Sequence, residues 1–189
     1  MRFFWCLIFV FIQFAAHSQR IDTLSISFVM SDPSMLQAPI DTTQVKNDTL
    51  LLRAFRTQMA IDSIIEYSKR FIGTPYRYGG RTEKGFDCSG FMQYVFGQYG
   101  FELPMSSSSQ FNHGTPVQMD SIRKGDLIFF KGRNIKNSNI GHVALVVDVS
   151  DKNDVQIIHS TRHGLRIHWL SEEPYFTRRL VAYRRILKD

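Results

Sequence analysis

The sequence predicts an α+β fold, in which a helix with a cysteine at its N-terminus packs on an antiparallel β-sheet. Two observations support this fold class. An apolar stripe at helical spacing follows Cys88, and four short apolar runs lie between residues 124 and 170, separated by Gly and Asn/Asp turns. Short strands joined by such turns are typical of antiparallel sheets.

The first 18 residues have the pattern of a secretory signal. A lone Arg2 precedes an apolar run over residues 3–14 that is too short to span a bilayer, and the small residues Ala16 and Ser18 follow. We therefore expect cleavage after Ser18 and a periplasmic or secreted protein without a stable membrane anchor. An uncleaved N-terminal anchor is the alternative.

Removal of that segment would leave Cys88 as the single cysteine of the chain, because the other one is Cys6. Aromatic residues surround Cys6 where a lipidation site needs small ones, so lipid attachment is not expected. An intrachain disulfide is then excluded, and Cys88 becomes a candidate nucleophile. The formal charge falls only from +6 to +5 with the loss of Arg2. A basic chain suits an anionic polymer, and export argues against nucleic acid.

Residues 19–58 are predicted to form a partly disordered N-terminal extension, because Ser, Thr, Asp and Pro are frequent there and only residues 21–29 alternate as an edge strand would. A helical period over residues 50–72 follows. Gly73 and Pro75 end it, since Gly permits a left-handed cap and Pro cannot continue a helix. The catalytic domain is predicted to span residues 59–189.

The helix after Cys88 combines several features that cysteine chemistry needs. Asp87 is a suitable N-cap. The helix dipole and the unpaired N–H groups of the first turn favour a thiolate, and the same N–H groups can stabilise an oxyanion. We assign the apolar stripe to core packing; its members are Phe91, Met92, Val95, Phe96 and Tyr99.

Two histidines on predicted strands complete the candidate site. His142 begins one strand and is a plausible general base for Cys88, and His159 ends the next strand, where it could orient the imidazole of His142 and fix its tautomer. The predicted strands lie at residues 127–130, 141–148, 155–160 and 164–170. The remaining histidines are interpreted as ordinary surface or core residues: His113, His163 and His168.

Six ordered blocks of the sequence resemble the NlpC/p60 family of cell-wall peptidases. The C-terminal tail makes the chain most similar to murein endopeptidases of the MepS (Spr) type within that family. The blocks are residues 76–80, 87–90, 103–104, 125–127, 141–143 and 158–160. This resemblance implies a papain-like α+β fold with a Cys–His–His triad. By motif position the triad is Cys88, His142 and His159, and substrate or oxyanion contacts fall to Tyr76, Asp87 and Ser89.

The resemblance also implies a function, namely an exported cysteine endopeptidase that hydrolyses peptidoglycan stem peptides at the D-alanyl–diaminopimelate cross-link. The γ-D-glutamyl–diaminopimelate bond is a second candidate, and Met105 stands where relatives often have arginine, which leaves substrate preference open. The same residues would also fit an amidase, a transpeptidase, a wall-binding protein without activity, or a zinc site formed by the three triad residues. No cofactor is expected.

Overall fold

Four α-helices lie along the part of the chain that the computed structural model describes, residues 42–152 and 154–188. The predicted signal segment and the predicted edge strand at residues 21–29 lie outside these residues. The helices are α1 (Thr42–Lys69), α2 (Cys88–Gly97), α3 (Ser107–Phe111) and α4 (Pro174–Thr177).

Helix α1 is longer at its start than the sequence pattern indicates. It begins at Thr42 rather than at residue 50, and it ends at Lys69, after which a series of turns leads to Gly73 with a φ of 90°. The helix is continuous across the predicted boundary between residues 58 and 59, so that boundary remains a prediction. The apolar period begins late because the buried side chains that the structure describes in α1, among them Ile61 and Ile64, lie in its C-terminal half.

Eight β-strands form two sheets in the described residues. A small hairpin pairs β1 (Arg81–Thr82) with β2 (Gly85–Phe86) just before α2. The main sheet has six strands in the order β3-β8-β4-β5-β6-β7, and all of its neighbours are antiparallel. These strands are β3 (Thr115–Val117), β4 (Leu127–Lys131), β5 (Ile140–Val149), β6 (Val155–Thr161), β7 (Gly164–Trp169) and β8 (Leu180–Arg185).

Alternation along the strands divides the buried residues between the two faces of the main sheet. One face packs against α1 and α2 through residues such as Phe129, Leu145 and Ile158. The other face carries Phe130 and Ile157, and side chains from α4 and the C-terminal part of the chain cover it. The predicted arrangement of a cysteine-bearing helix on an antiparallel sheet is therefore confirmed.

The residues from Lys46 onward form one compact unit. Within the described ranges, 42–152 and 154–188, no helix is both long and apolar enough to cross a membrane.

Candidate active site

Cys88 is the first residue of α2, and the carboxylate of Asp87 holds this helix start in place. Asp87 has an extended backbone, and its Oδ1 accepts hydrogen bonds from the Gly90 amide at 2.6 Å and from the Ser89 hydroxyl at 3.0 Å. Its Oδ2 accepts from the Gly79 amide at 2.9 Å. One side chain thus caps the helix and ties it to the glycine-rich loop that precedes it.

Close backbone packing explains two of the glycines near Cys88. A Cβ atom at Gly90 would overlap the carbonyl oxygen of Gly80, and a Cβ atom at Gly80 would overlap that of Gly85. The Asp87 amide also donates to the Gly80 carbonyl at 3.0 Å. The first turn of α2 therefore lies directly against the loop, and a side chain at either glycine would push the helix start away.

Burial dominates the electrostatics of the Cys88 thiol. It raises the pKa of Cys88 to about 11, and the neighbouring Asp87 carboxylate acts in the same direction. The backbone N–H groups of Val143, Ser89 and Cys88 itself lower the pKa, as the helix-start argument predicts, but they do not offset the loss of solvation. The free site therefore holds a neutral thiol rather than the thiolate that the sequence argument favoured.

The two predicted histidines meet across neighbouring strands. His142 lies near the start of β5 and His159 lies in β6, and Nε2 of His142 is 2.7 Å from Nδ1 of His159. The residue after His142 is Val143, whose backbone N–H is one of the groups that lower the pKa of Cys88. Because Nε2 of His142 is engaged with His159, Nδ1 is the ring nitrogen of His142 that this contact leaves available.

Both imidazoles are neutral in the folded protein at pH 7. Burial lowers the pKa of His142 to about 4, and a positive charge on His168 acts in the same direction. Burial also holds the pKa of His159 well below its usual range, with the charges of His142, His168 and Arg166 acting in the same direction. Together with the raised pKa of Cys88, these two lowered pKa values favour a neutral thiol and neutral imidazoles in the resting protein.

A third histidine, which the sequence argument treated as ordinary, lies beside this pair. The ring of His168 in β7 is buried, and its centroid is 4.8 Å from that of His159. Phe176 of α4 packs on all three imidazoles, with centroid distances of 5.3, 4.7 and 5.9 Å to His142, His159 and His168. We call these three histidines the histidine chain.

Strand register explains why His168 was missed. In the β6–β7 pairing, Ile157 lies opposite His168 and His159 lies opposite Arg166, so His159 and His168 face the same side of the sheet. The alternation of β7 shows that Arg166 and His168 share a face. It does not show which residue of β6 they meet. The other two histidines, His113 and His163, are exposed, as expected.

A basic cleft of about 1060 Å³ opens at His142. Tyr76 lines it, and the pKa of this tyrosine is raised by burial and by the nearby charges of Cys88 and Asp87, so the phenol stays protonated. The described residues that line the cleft do not include Cys88, Asp87 or Ser89. Its charged lining residues are Lys131, Arg133, Arg162, Arg166, Glu173 and Arg179.

The predicted contact residues thus fall into two groups. Tyr76 is about one-third exposed and faces the cleft, where a substrate could reach it. Asp87 and Ser89 are instead engaged with each other and with the helix start, and Ser89 is buried. Asp87 thus accepts hydrogen bonds from Ser89 and Gly90, both of which belong to the first turn of α2.

Zinc ligation by the three triad residues finds no geometric support. Among residues 42–152 and 154–188, no group of three or more His, Cys, Asp or Glu side chains is arranged to hold a metal ion.

A cysteine at a helix start, with two hydrogen-bonded imidazoles on the adjoining antiparallel strands, defines a cysteine hydrolase of the papain-like α+β class. The model of the NlpC/P60 family matches residues 73–185. The chain belongs to the NlpC/P60 family. This membership confirms the predicted family, the predicted fold class and the predicted cysteine-type endopeptidase.

Curated relatives carry more than one specificity in their names. A probable endopeptidase NlpC homolog of Haemophilus influenzae is 32% identical over 83% of this chain and 82% of its own length. Murein DD-endopeptidase MepS/murein LD-carboxypeptidase of Escherichia coli is 38% identical over 61% of this chain and 57% of its own length. A gamma-D-glutamyl-L-lysine dipeptidyl-peptidase of Bacillus cereus is 38% identical over 54% of this chain and 29% of its own length.

Solved structures show the same fold. A crystal structure of an NlpC/P60 family protein from Bacillus cereus superimposes with a TM-score of 0.60 and 33% identity, covering 68% of this chain and 40% of the other. This chain therefore spans less than half of that protein and less than a third of the dipeptidyl-peptidase.

Proposed function

We propose that this protein is a cysteine endopeptidase that hydrolyses peptidoglycan stem peptides, and that it cuts the D-alanyl–diaminopimelate cross-link. The 2.7 Å contact between His142 and His159, on strands adjoining the helix that starts at Cys88, carries the proposal. Names of relatives, including a murein DD-endopeptidase, support the substrate class.

In the proposed mechanism Cys88 is the nucleophile and His142 is the general base. The pKa of the thiol is raised to about 11 and that of the imidazole is lowered to about 4, so the two groups rest uncharged. Nδ1 of His142 accepts the thiol proton as the sulfur attacks the scissile carbonyl carbon. The charge separation thus arises together with the new C–S bond, and His159 holds the imidazole through Nε2.

The oxyanion of the tetrahedral intermediate would be stabilised by donors near the sulfur. The amides of Cys88 and Ser89 belong to the first turn of α2, where helical N–H groups lack partners within the helix. Tyr76 is a further donor, since its raised pKa keeps the phenol protonated. His142 then returns its proton to the leaving amine, the C–N bond breaks, and water hydrolyses the thioester.

The charge of the cleft supports an anionic substrate. Among the described residues that line it, five are basic and one, Glu173, is acidic. Peptidoglycan stem peptides carry free carboxylates on glutamate, diaminopimelate and the terminal D-alanine. A basic cleft attracts such a peptide and raises its local concentration.

The γ-D-glutamyl bond of the stem is the second candidate for cleavage. Its support is the 38% identity to a gamma-D-glutamyl-L-lysine dipeptidyl-peptidase over 54% of this chain. The D-alanyl cross-link is preferred because this chain covers 57% of the length of the murein DD-endopeptidase, but only 29% and 42% of the gamma-D-glutamyl-L-lysine dipeptidyl-peptidases of Bacillus cereus and Bacillus subtilis. Both bonds would be cut by the same chemistry.

We also propose the site of action and the organisation of the chain. The protein would act in the periplasm or outside the cell after removal of residues 1–18, without a stable membrane anchor. Residues 19–58 would form an extension and residues 59–189 the catalytic domain. N-terminal sequencing of the exported protein tests the cleavage point, and a start at Gln19 is the expected result.

A digest of purified peptidoglycan tests the proposed reaction. Residues 19–189 and the same chain with Cys88→Ala are incubated with sacculi, and the products are identified by liquid chromatography and mass spectrometry. Conversion of cross-linked dimers to tetrapeptide monomers, only when Cys88 is present, is the expected result. His113→Ala is a matched control that should leave the products unchanged, because His113 is exposed.

Different products would overturn parts of the proposal. Freed dipeptide ends with diaminopimelyl fragments would assign the γ-D-glutamyl bond instead. Separation of intact stem peptides from the glycan would indicate an amidase. Binding to sacculi without any Cys88-dependent product would indicate a wall-binding protein and would refute the enzymatic proposal.

A further inference from the structure

The tautomers of the histidine chain leave one proton without an acceptor. If Nδ1 of His142 is free to accept the thiol proton, the proton of this neutral imidazole resides on Nε2, which donates to Nδ1 of His159 over 2.7 Å. His159 is itself neutral, so its own proton must reside on Nε2. That atom is fully buried and has no hydrogen-bond partner in the described residues. A buried N–H without an acceptor is unfavourable.

His168 lies beside His159 and has ring nitrogens of the kind that can accept such a proton. Both of its ring nitrogens are buried, and neither has a partner among the described residues. The His159–His168 ring pair has a centroid distance of 4.8 Å and an interplanar angle of 69°. The His142–His159 pair, which is hydrogen-bonded, has 4.9 Å and 67°. Rings at this spacing and angle can therefore bond through nitrogen.

We infer that His168 is a positioning residue for the proposed reaction, whose ring nitrogen accepts the Nε2–H of His159 and thereby fixes the tautomers of His159 and His142. This inference rests on the proposed catalytic roles of Cys88 and His142. It extends the chain of imidazoles to a third strand, so that β5, β6 and β7 each contribute one ring.

The surroundings of His168 favour a neutral acceptor. Burial lowers the pKa of His168, as does the charge of Arg166, whereas the carboxylates of Glu173 and Glu172 act in the opposite direction. Arg166 and Glu173 also lie 3.6 Å apart and partly neutralise one another. Phe176 packs against all three rings and gives each imidazole an apolar neighbour.

Three variants of the full chain test this inference. His168→Leu removes the acceptor and fills its place with an apolar side chain of similar size. His168→Gln also removes the imidazole but provides an acceptor through its amide oxygen. His113→Leu is the matched control at an exposed histidine. Imidazole nitrogen and proton shifts of His159 are measured by nuclear magnetic resonance, and kcat and KM are measured on a cross-linked muropeptide.

We expect a protected Nε2–H resonance of His159 in the unchanged chain and in His168→Gln, and its loss or a mixed tautomer in His168→Leu. The kcat of His168→Leu should fall about tenfold, which corresponds to the net contribution of one hydrogen bond, with KM unchanged and most of kcat regained in His168→Gln. His113→Leu should match the unchanged chain.

Two results would overturn the inference. The first is an unchanged His159 tautomer in His168→Leu, which would assign the acceptor to water or to another group. The second is an equal loss of kcat in the Leu and Gln variants together with a lowered melting temperature, which would show a packing role alone. If the unchanged chain has no Cys88-dependent activity, the proposed function fails, and the resonances still decide whether His168 accepts from His159.

Discussion

The resting charge state of Cys88 and His142 yields a prediction that distinguishes a cysteine hydrolase with a neutral thiol from one with a thiolate–imidazolium pair. A pKa of about 11 for the thiol makes the thiolate fraction roughly one in ten thousand at pH 7, whereas an exposed cysteine with a pKa near 8.5 is ionised to about 3%. Alkylation of Cys88 by iodoacetamide should therefore be about 300-fold slower than that of glutathione at pH 7, and its rate should rise about tenfold per pH unit up to pH 10.

The lowered pKa of His142 determines the acid side of the pH profile. An imidazole with a pKa of about 4 is protonated to about 10% at pH 5, while an ordinary histidine with a pKa of 6.5 is protonated to about 97%. The value of kcat/KM at pH 5 should thus remain close to that at pH 7. Circular dichroism at both pH values serves as a control that the protein is folded.

Alkylation at Cys88 is followed by mass spectrometry of its peptide, and kcat/KM is followed by release of muropeptide monomers. Fast alkylation that is independent of pH between 5 and 8 would show a thiolate–imidazolium pair and would refute the burial argument. A fall in kcat/KM of tenfold or more between pH 7 and pH 5, with a midpoint near 6.5, would also refute it, because His142 would then titrate like an ordinary histidine.

Three further predictions concern stability, measured as the free energy of unfolding in urea. Asp87→Ala should destabilise the protein by about 1–2 kcal/mol, because the Gly90 amide loses its capping hydrogen bond, while Asp87→Asn should retain most of the stability. Equal losses in the two variants would contradict the capping role. Arg185→Met should lower the free energy of unfolding by about 3–5 kcal/mol, because the buried Asp126 carboxylate loses both of its hydrogen bonds to Arg185. Arg184→Met is the control and should lower it clearly less, because the side-chain hydrogen bond of Arg184 goes to the Phe111 carbonyl. Finally, the free energy of unfolding should fall as the pH drops from 6.5 towards 4, because the histidines of the unfolded chain take up protons that the folded histidine chain does not. The lowered pKa of His142, about 4, alone contributes about 2 kcal/mol of this loss by pH 5. An unchanged free energy of unfolding over this pH range would exclude the effect.

The sequence was informative wherever burial sets the apolar pattern. Apolar runs bounded by turn residues located β5 and β6, which are buried on both faces of the sheet, while alternation located β7 and the stripe after Cys88 located α2. The start of α1 was missed for the same reason. Its first half exposes Leu51 and Phe55, so no one-sided pattern marks it as helical.

Properties that depend on the packing of distant elements could not be predicted from the pattern. The local amides at the helix start lower the pKa of Cys88, as the sequence predicts, but burial outweighs them. The place of His168 depends on the register of β6 and β7, which sets the residue that each side chain faces. A shift of one residue in that register would have moved His168 to the opposite face from His159.

The neutral resting state of Cys88 and His142 is related to the histidine chain, because His159 stands where a carboxylate would have supplied a charge. A carboxylate in the place of His159 would raise the pKa of His142 and favour the imidazolium, which in turn would favour a thiolate. A neutral imidazole orients His142 without supplying that charge, and burial then holds both Cys88 and His142 uncharged. A site of this kind depends more on the correct tautomer than on charge, because Nδ1 of His142 must be unprotonated when the substrate arrives. In such a site the hydrogen bonds behind the base, rather than an ion pair, prepare the nucleophile for attack.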